Sequence, residues 1–515
     1  MFRGLGTSVA ALAAFVLSAH AAEAQKSRDT LRFATDRPIT IVDEYLDVLP
    51  ELAFLGEAVY DALIVEDEAN KAFAPLLAKA WKRIDDRTVE FQLRDDVTWQ
   101  DGEKFDADDV VYTYSYLVDP DVKLRLKPAW TWIEKVEKTG PYTVRIIAKR
   151  PTPYDLARIA RTQIYPQHVH GPLADKREFG LKPVGTGPYR ILQVDKNKGL
   201  IAERFKPYNL GGVGKPTPTI GRFEFRPVPD ASTQVAEFVT GNLDLMRADS
   251  PDQARDLAQK PGVVKTVRNV ASIIYVLMDM KGRSGNKALT EPKVRDAIMK
   301  AIDKRPFPIL VGSDGSNVGF PEALCNRVHF GCDYSRPLPQ YDLAEAKRLM
   351  AEAGYAQGFN MTITAVESPM IEIAQVIASQ LKAININASV GRDTFSSYRD
   401  KQRDGKIEFL VQTYGGSGLS DVSQILDFYF SKGPRDFHGR ADWSAAVNAA
   451  NGEMDETKRK AIVRDLMDQV TDSRYMIPIS PYPKIWIHTS DVQVKETGRF
   501  FFGYGITMSE ISWKK

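Results

Sequence analysis

Apolar residues occupy every second position at Val89, Phe91 and Leu93 and again at Tyr142, Val144 and Ile146, which predicts sheet strands with one face on a core and the other in water. Helical spacing interleaves with these strands. Asp106 is placed to cap a helix that carries Asp109 in its first turn and ends before Pro120. Thr290 is placed to cap another, with Glu291 and Pro292 at its start and Val294, Ile298 and Ile302 as a core stripe at four-residue spacing. Asp342 with Glu345 gives a capping-box-like start to the segment from Leu343 to Ala353, which Gly354 stops, and Ile462, Leu466 and Val470 line a helix after Asp455. Strand and helix mixed along the whole length predict an α/β fold.

Two stretches read as joints: Pro183-Val184-Gly185-Thr186-Gly187-Pro188-Tyr189 and Gly211-Gly212-Val213-Gly214-Lys215-Pro216 are too dense in turn formers for a regular element. The second is no phosphate loop, since Asn209 stands where Walker spacing needs Gly and Pro216 where it needs Ser or Thr. The aromatic tail after Arg499, with Phe500, Phe501, Phe502 and Tyr504, favours docking on a core over disorder.

At 515 residues and 43% hydrophobic content the chain can bury a large core, and its length predicts about three structural units. The 69 basic and 67 acidic residues leave a net charge of +2, so no strong field points to nucleic acid or an anionic membrane. Residues 1–24 differ in kind: Arg3 precedes an apolar run from Val9 to Ser18, shorter than the ~20 residues a membrane span needs, and Ala22-Glu23-Ala24 offers a cleavage site. A signal peptide cut after Ala24 is expected, and with no Cys nearby a lipid anchor is not. The cysteines, Cys325 and Cys332, are expected to form a local disulfide in an oxidising compartment; His329 between them leaves a Cys-x3-His-x2-Cys metal site as the alternative.

Catalytic patterns fail on order and spacing. Ser284-Gly285-Asn286-Lys287 imitates Ser-x-x-Lys, but it follows Lys138-Thr139-Gly140 instead of preceding it, and Gly415-Gly416-Ser417-Gly418 lacks the spacing of a nucleophile elbow. His168 and His170 form the one close histidine pair, which Pro166 and Pro172 place in a surface loop. Aromatics make up 10% of the chain, and such residues line clefts as well as cores.

The motifs along Leu31 to Val494 resemble, in order, the peptide- and nickel-type solute-binding proteins of ABC importers, the family 5 extracellular solute-binding proteins. The marks are Val59-Tyr60-Asp61-Ala62-Leu63, the run from Pro75 to Trp81, the signature from Phe91 to Thr113, the segment Pro183 to Tyr189, Val294-Arg295 with Ala301-Ile302-Asp303, and Asp342 to Gly358 with Ala353-Gly354-Tyr355. The resemblance implies a two-lobed, type II-like periplasmic-binding fold with a ligand cleft between lobes. Lobe I would comprise residues 25–59, 184–281 and 488–515, with an extra subdomain at 60–183, and lobe II residues 282–487. A periplasmic, monomeric binding protein without cofactor or metal is expected, neither an enzyme nor a membrane-inserted or nucleic-acid-binding chain. Such a protein captures a small organic solute by lobe closure and passes it to an inner-membrane permease. Closure removes water and strengthens each polar contact in the cleft. The solute expected is a non-standard peptide, an opine-like conjugate or an oligosaccharide; the alternatives are an ordinary di- or oligopeptide carrier, an exported serine hydrolase using Ser284, and a sensor subunit serving a receptor.

Peptide binders of the family carry an aromatic residue followed three positions later by an Asp that pairs with the ligand's α-ammonium. Here Tyr414 matches the aromatic, but Ser417 holds the carboxylate position, so a free peptide amino terminus loses its main compensation. Asp421 is either the substitute carboxylate or the cap of the segment Val422 to Phe430. Gly416 would let backbone amides approach a ligand or simply turn the chain, and Tyr275, Phe395 and Tyr482 would line the ligand or belong to the core.

Overall fold

The computed structural model describes residues 29–47, 50–67, 70–212, 215–313, 324–325, 329–334, 336–337, 339–366, 368–414, 419–495 and 505–514. The signal peptide expected at 1–24 and the aromatic tail at Phe500, Phe501, Phe502 and Tyr504 lie outside them. The chain divides into two units, each discontinuous in sequence: residues 1–149, 158–268 and 485–515 form the first, residues 150–157 and 269–484 the second.

The first unit holds a seven-stranded sheet in the order Val263–Arg268, Lys484–Thr489, Leu245–Arg247, Thr30–Thr35, Arg222–Pro227, Gly199–Arg204, Tyr189–Asp195. Thr30–Thr35 is buried along its whole length and pairs in parallel with Arg222–Pro227 and Leu245–Arg247, as expected of a strand covered on both faces. The charge this buries is met on the spot: Arg32 donates through Nε and Nη2 to the Asp244 carboxylate at 3.0 and 2.8 Å. Phe33 packs among Phe54, Phe225 and Trp486.

A four-stranded antiparallel sheet of Ala78–Asp85, Thr88–Leu93, Thr143–Ala148 and Ile133–Gly140 belongs to the same unit. Val89, Phe91 and Leu93 are buried, as are Val144 and Ile146, so the alternation in the sequence marks the core face. The helix Ala107–Val118 is capped by Asp106 as expected, and Asp109 completes a capping box with it. Asp109 does more than cap: its carboxylate also accepts from Trp99 Nε1 at 3.1 Å and from the Gln167 backbone at 2.8 Å, tying together the signature from Phe91 to Thr113. Both joints close on one strip. Gly187 donates its N–H to the Val59 carbonyl at 2.9 Å, and buried Lys215 donates to Asp61 at 2.5 Å and to the Tyr60 carbonyl at 2.9 Å.

In the second unit a five-stranded sheet runs in the order Ile386–Arg392, Phe359–Ala365, Phe409–Tyr414, Ile273–Met278, Met476–Pro481. The strand Ile273–Met278 is apolar throughout because both faces are covered. Ile274, Val276 and Met278 pack with residues of the helices Pro292–Ala301, Leu343–Glu352 and Met370–Leu381. Ile273, Tyr275 and Leu277 pack with residues of Ser423–Phe430, Ala441–Ala450 and Glu456–Ser473. Period-two geometry separates the two sets, and each fully buried Leu or Ile contributes about 1.5–3 kcal/mol.

Local chemistry moves some boundaries. The helix expected after Thr290 starts one residue later, with Glu291 at the N-cap position, held extended by Pro292 and making no side-chain capping bond, while the Thr290 hydroxyl donates to the Lys287 carbonyl in a preceding short 3-10 turn. The helix capped by Asp342 ends at Glu352, and Gly354 follows in the left-handed region at φ 79°. A Cβ there would meet nothing within 4 Å, so Gly354→Ala should cost only the conformational penalty, about 1 kcal/mol, readable in urea unfolding.

Candidate functional site

Three of the expected ligand residues, Tyr275, Tyr414 and Phe395, lie in one body of aromatic and cationic side chains within the second unit. Tyr275 projects from the middle of its strand and is 1% exposed. Tyr414 ends the neighbouring strand Phe409–Tyr414, and its ring lies 5.2 Å from Tyr429 and 5.7 Å from Phe428. Tyr429 in turn meets Tyr275 edge-on at 5.3 Å. Burial pushes the Tyr275 and Tyr429 hydroxyls well above their ordinary pKa, so both stay neutral donors.

The helix Phe395–Asp404, capped by Thr394, brings Phe395, Tyr398, Arg399 and Gln402 to one side by its i, i+3, i+4 spacing. Phe395 is 59% exposed, an unusual state for a phenyl ring, and the Arg399 guanidinium lies over it at 5.1 Å. Half-buried Arg435 stacks on Phe428 at 3.5 Å and donates Nε to Gln402 Oε1 at 3.3 Å; Gln402 donates Nε2 to the Tyr398 hydroxyl at 3.0 Å. Burial, and after it the charge of Arg399, lowers the pKa of the Arg435 guanidinium. Neither arginine was singled out in the sequence, although Arg399 carries a readable sign: no acidic residue stands three or four positions from it on its helix.

The other expected residues fall elsewhere. Gly416 and Ser417 lie outside the described residues. Asp421 is 1% exposed, and its two oxygens accept from Arg459 Nη1 and Nη2 at 2.7 and 2.6 Å, while Oδ1 also accepts from the Ser423 backbone at 2.7 Å. Burial alone would raise this carboxyl, but Arg459 holds it below the usual carboxylate range. Tyr482 packs against the opposite core, the one with Ile274 and Val276, with Lys484 Nζ 4.5 Å from its ring centre. Cys325 and Cys332 are bonded to one another, so their sulfurs are not thiolate ligands. Phe330, inside that loop, exchanges backbone hydrogen bonds with Ser420 and Val422.

His168 and His170 do not form the expected loop. They occupy the short helix Gln167–His170, where a spacing of two turns side chains apart. His168 meets Asp101 at 2.7 Å at the surface; His170 is fully buried against Tyr112, whose hydroxyl lies 2.5 Å from Nδ1. Burial pulls the His170 imidazole down to about 3, so it is neutral at pH 7. Ser284 sits in a turn: its N–H donates to Asp279 at 2.6 Å and its hydroxyl oxygen accepts from Asn286 at 3.4 Å. A cavity of about 560 Å³ in the first unit, lined by Tyr112, Tyr116, Lys123 and Lys176 among others, contains no residue expected from the sequence.

Residues 72–437 match the family described as bacterial extracellular solute-binding proteins, family 5 middle. The oligopeptide-binding protein AppA of Bacillus subtilis (strain 168) is 26% identical over 379 residues, covering 69% of this chain and 67% of that protein. The glutathione-binding protein GsiB of Salmonella paratyphi A is 28% identical over 396 residues, covering 76% and 72%. Among solved structures, the ABC transporter substrate binding protein CtaP of Listeria monocytogenes matches with a TM-score of 0.81 at 18% identity, over 94% of this chain and 99% of that one. Among the described residues no helix is long and apolar enough to cross a membrane.

Proposed function

The chain belongs to family 5 of the bacterial extracellular solute-binding proteins, and on that premise we propose that it captures a small organic solute in the periplasm and delivers it to an ABC permease. The observation that carries this reading is the family match across residues 72–437, which spans the aromatic and cationic body of the second unit. Removal of residues 1–24 as a signal peptide would place the mature chain in that compartment. The relatives named above are described as binding oligopeptides and glutathione, which sets peptide-like solutes first among the classes to test.

Within that class, the reading favours a solute that does not depend on a free α-ammonium. Ser417 carries no charge, and Asp421 already spends both oxygens on Arg459. A second ammonium would have to compete with a bidentate guanidinium in a buried place. Tyr414 and Phe395 are assigned to the solute, with Tyr275 joined to Tyr414 through Tyr429 and with Gly416 and Ser417 proposed beside them; Tyr482, packed on the opposite core, is not assigned to this lining.

Mass spectrometry of the natively purified, exported protein tests the role directly. The native mass is expected to exceed the denatured mass by one small organic solute, released on unfolding. Identical native and denatured masses, together with no thermal stabilisation by any solute of a peptide, opine and oligosaccharide panel, would remove the reading. A released mixture of peptides with free amino termini would restore the ordinary peptide carrier.

A further inference from the structure

Resting on the solute-binding reading, we infer that the solute presents a carboxylate to Arg399 and Arg435, with its apolar part against Phe395. The acidic side chains nearest these two arginines in sequence are all engaged elsewhere. Asp393 accepts from Lys401 and Ser397 at 2.8 Å each, Asp400 pairs with Arg403 at 2.8 Å, Asp404 flanks Arg403 and Lys406, and Asp436 takes Lys281 at 2.8 Å. Among the described residues neither guanidinium has a carboxylate partner; what they have is rings, Phe395 under Arg399 and Phe428 under Arg435, and the neutral Gln402 amide.

Arg399 and Gln402 share one side of their helix, and half-buried Arg435 donates Nε to Gln402 at 3.3 Å, which brings the second cation to that side, where the charge of Arg399 disfavours its own. Like charges brought together in a partly dry place are costly unless an anion joins them. A ring face satisfies the flat side of a guanidinium but leaves its edge N–H donors pointing outward, and those donors match the two oxygens of a carboxylate. Ring stacking also fixes the planes, so less side-chain entropy is lost when an anion arrives. The exposed phenyl ring of Phe395 beside Arg399 selects an organic acid over a bare oxyanion, because an inorganic ion would leave that ring in water.

The test uses calorimetry with named probes: glutathione, trialanine, trialanine amide, the diethyl ester of glutathione, maltotriose and inorganic phosphate. At least one of the two free acids should bind, its amide or ester at least thirtyfold more weakly, and phosphate should not displace it at millimolar concentration. Arg399→Gln and Arg435→Gln should each weaken that acid at least tenfold while leaving the urea midpoint within error of the parent, and Arg435→Lys should recover part of the loss. Equal binding of acid and blocked form, preference for maltotriose or phosphate, or affinity unmoved by both glutamine variants would overturn the carboxylate and leave the solute-binding role in place. Retention of no probe also overturns it, and only together with identical native and denatured masses does it remove that role as well.

Discussion

Asp421→Ala is expected to lower the unfolding free energy of the second unit by about 3–5 kcal/mol, because it strands the buried Arg459 guanidinium without its anion. Arg459 is 4% exposed; besides the carboxylate it donates Nε to the Ala450 carbonyl at 3.0 Å. The pair joins three pieces: the start of helix Ser423–Phe430, the first turn of Glu456–Ser473, and the end of the disulfide loop, where a Cβ on Gly331 would sit 2.6 Å from Arg459 Nη1. Urea unfolding reads the loss, and a double-mutant cycle with Arg459→Met separates its parts. Replacing both partners should cost less than Asp421→Ala alone, since no charge is then left buried. The same variant discriminates a structural from a ligand-binding carboxylate: an anion held for a solute's ammonium would leave the urea midpoint in place and abolish binding instead. Since the folded-state pKa of Asp421 lies below its ordinary value, the contribution of the pair is present at neutral pH and is lost only as pH falls through that lowered value.

What the sequence disclosed follows the range of the interactions involved. The helix Ala107–Val118 was legible because Asp106 and Asp109 act within one turn, and the shift from Thr290 to Glu291 reflects an equally local proline effect that a capping pattern alone overlooks. The α/β periplasmic-binding fold was legible through motifs spread in order along the chain, and the disulfide through the compartment and the spacing of Cys325 and Cys332. The site was legible only in part. Aromatic candidates could be named one by one, but the gathering of Tyr275, Tyr414 and Tyr429 is made by strand pairing and a packed helix, as is the meeting of Arg435 with Gln402, 33 positions apart. Asp421 shows the limit most clearly: its possible roles were both visible, and the partner that occupies it, Arg459, lies 38 positions away with nothing local to announce it.

The first unit should show a stability maximum in mildly acidic solution, set by two raised carboxyls, Glu44 and Asp43, against one depressed imidazole, His170. Glu44 lies beside Gln163 and Gly56, where burial raises its carboxyl to about 8 against the partial relief of Arg161 and with the added pressure of Glu57 and Asp43. Asp43, 1% exposed, is raised to about 6 by burial despite hydrogen bonds from the Tyr45 and Leu46 backbone. A carboxyl whose folded pKa exceeds its unfolded one favours folding below the unfolded value, and this advantage is lost as pH rises through the folded value. Between about pH 4.5 and 8, therefore, Glu44 makes the unit progressively less stable. His170 has the reverse sign: its imidazole is depressed to about 3, so the stability it confers is complete above the ordinary imidazole range and falls as pH drops below it. Total stability blends the two, and a difference measurement separates them. Glu44→Gln mimics the protonated side chain at every pH, so its stability advantage over the parent should shrink by ~3 kcal/mol between pH 8 and pH 5. Chemical denaturation at both pH values gives this difference directly. A difference that stayed constant would mean that Glu44 keeps an ordinary carboxylate pKa, with Arg161 offsetting its burial in full. A shrinking difference assigns the fall in stability above the maximum to Glu44, and Asp43 should then account for about 1 kcal/mol of what remains between pH 5 and 6.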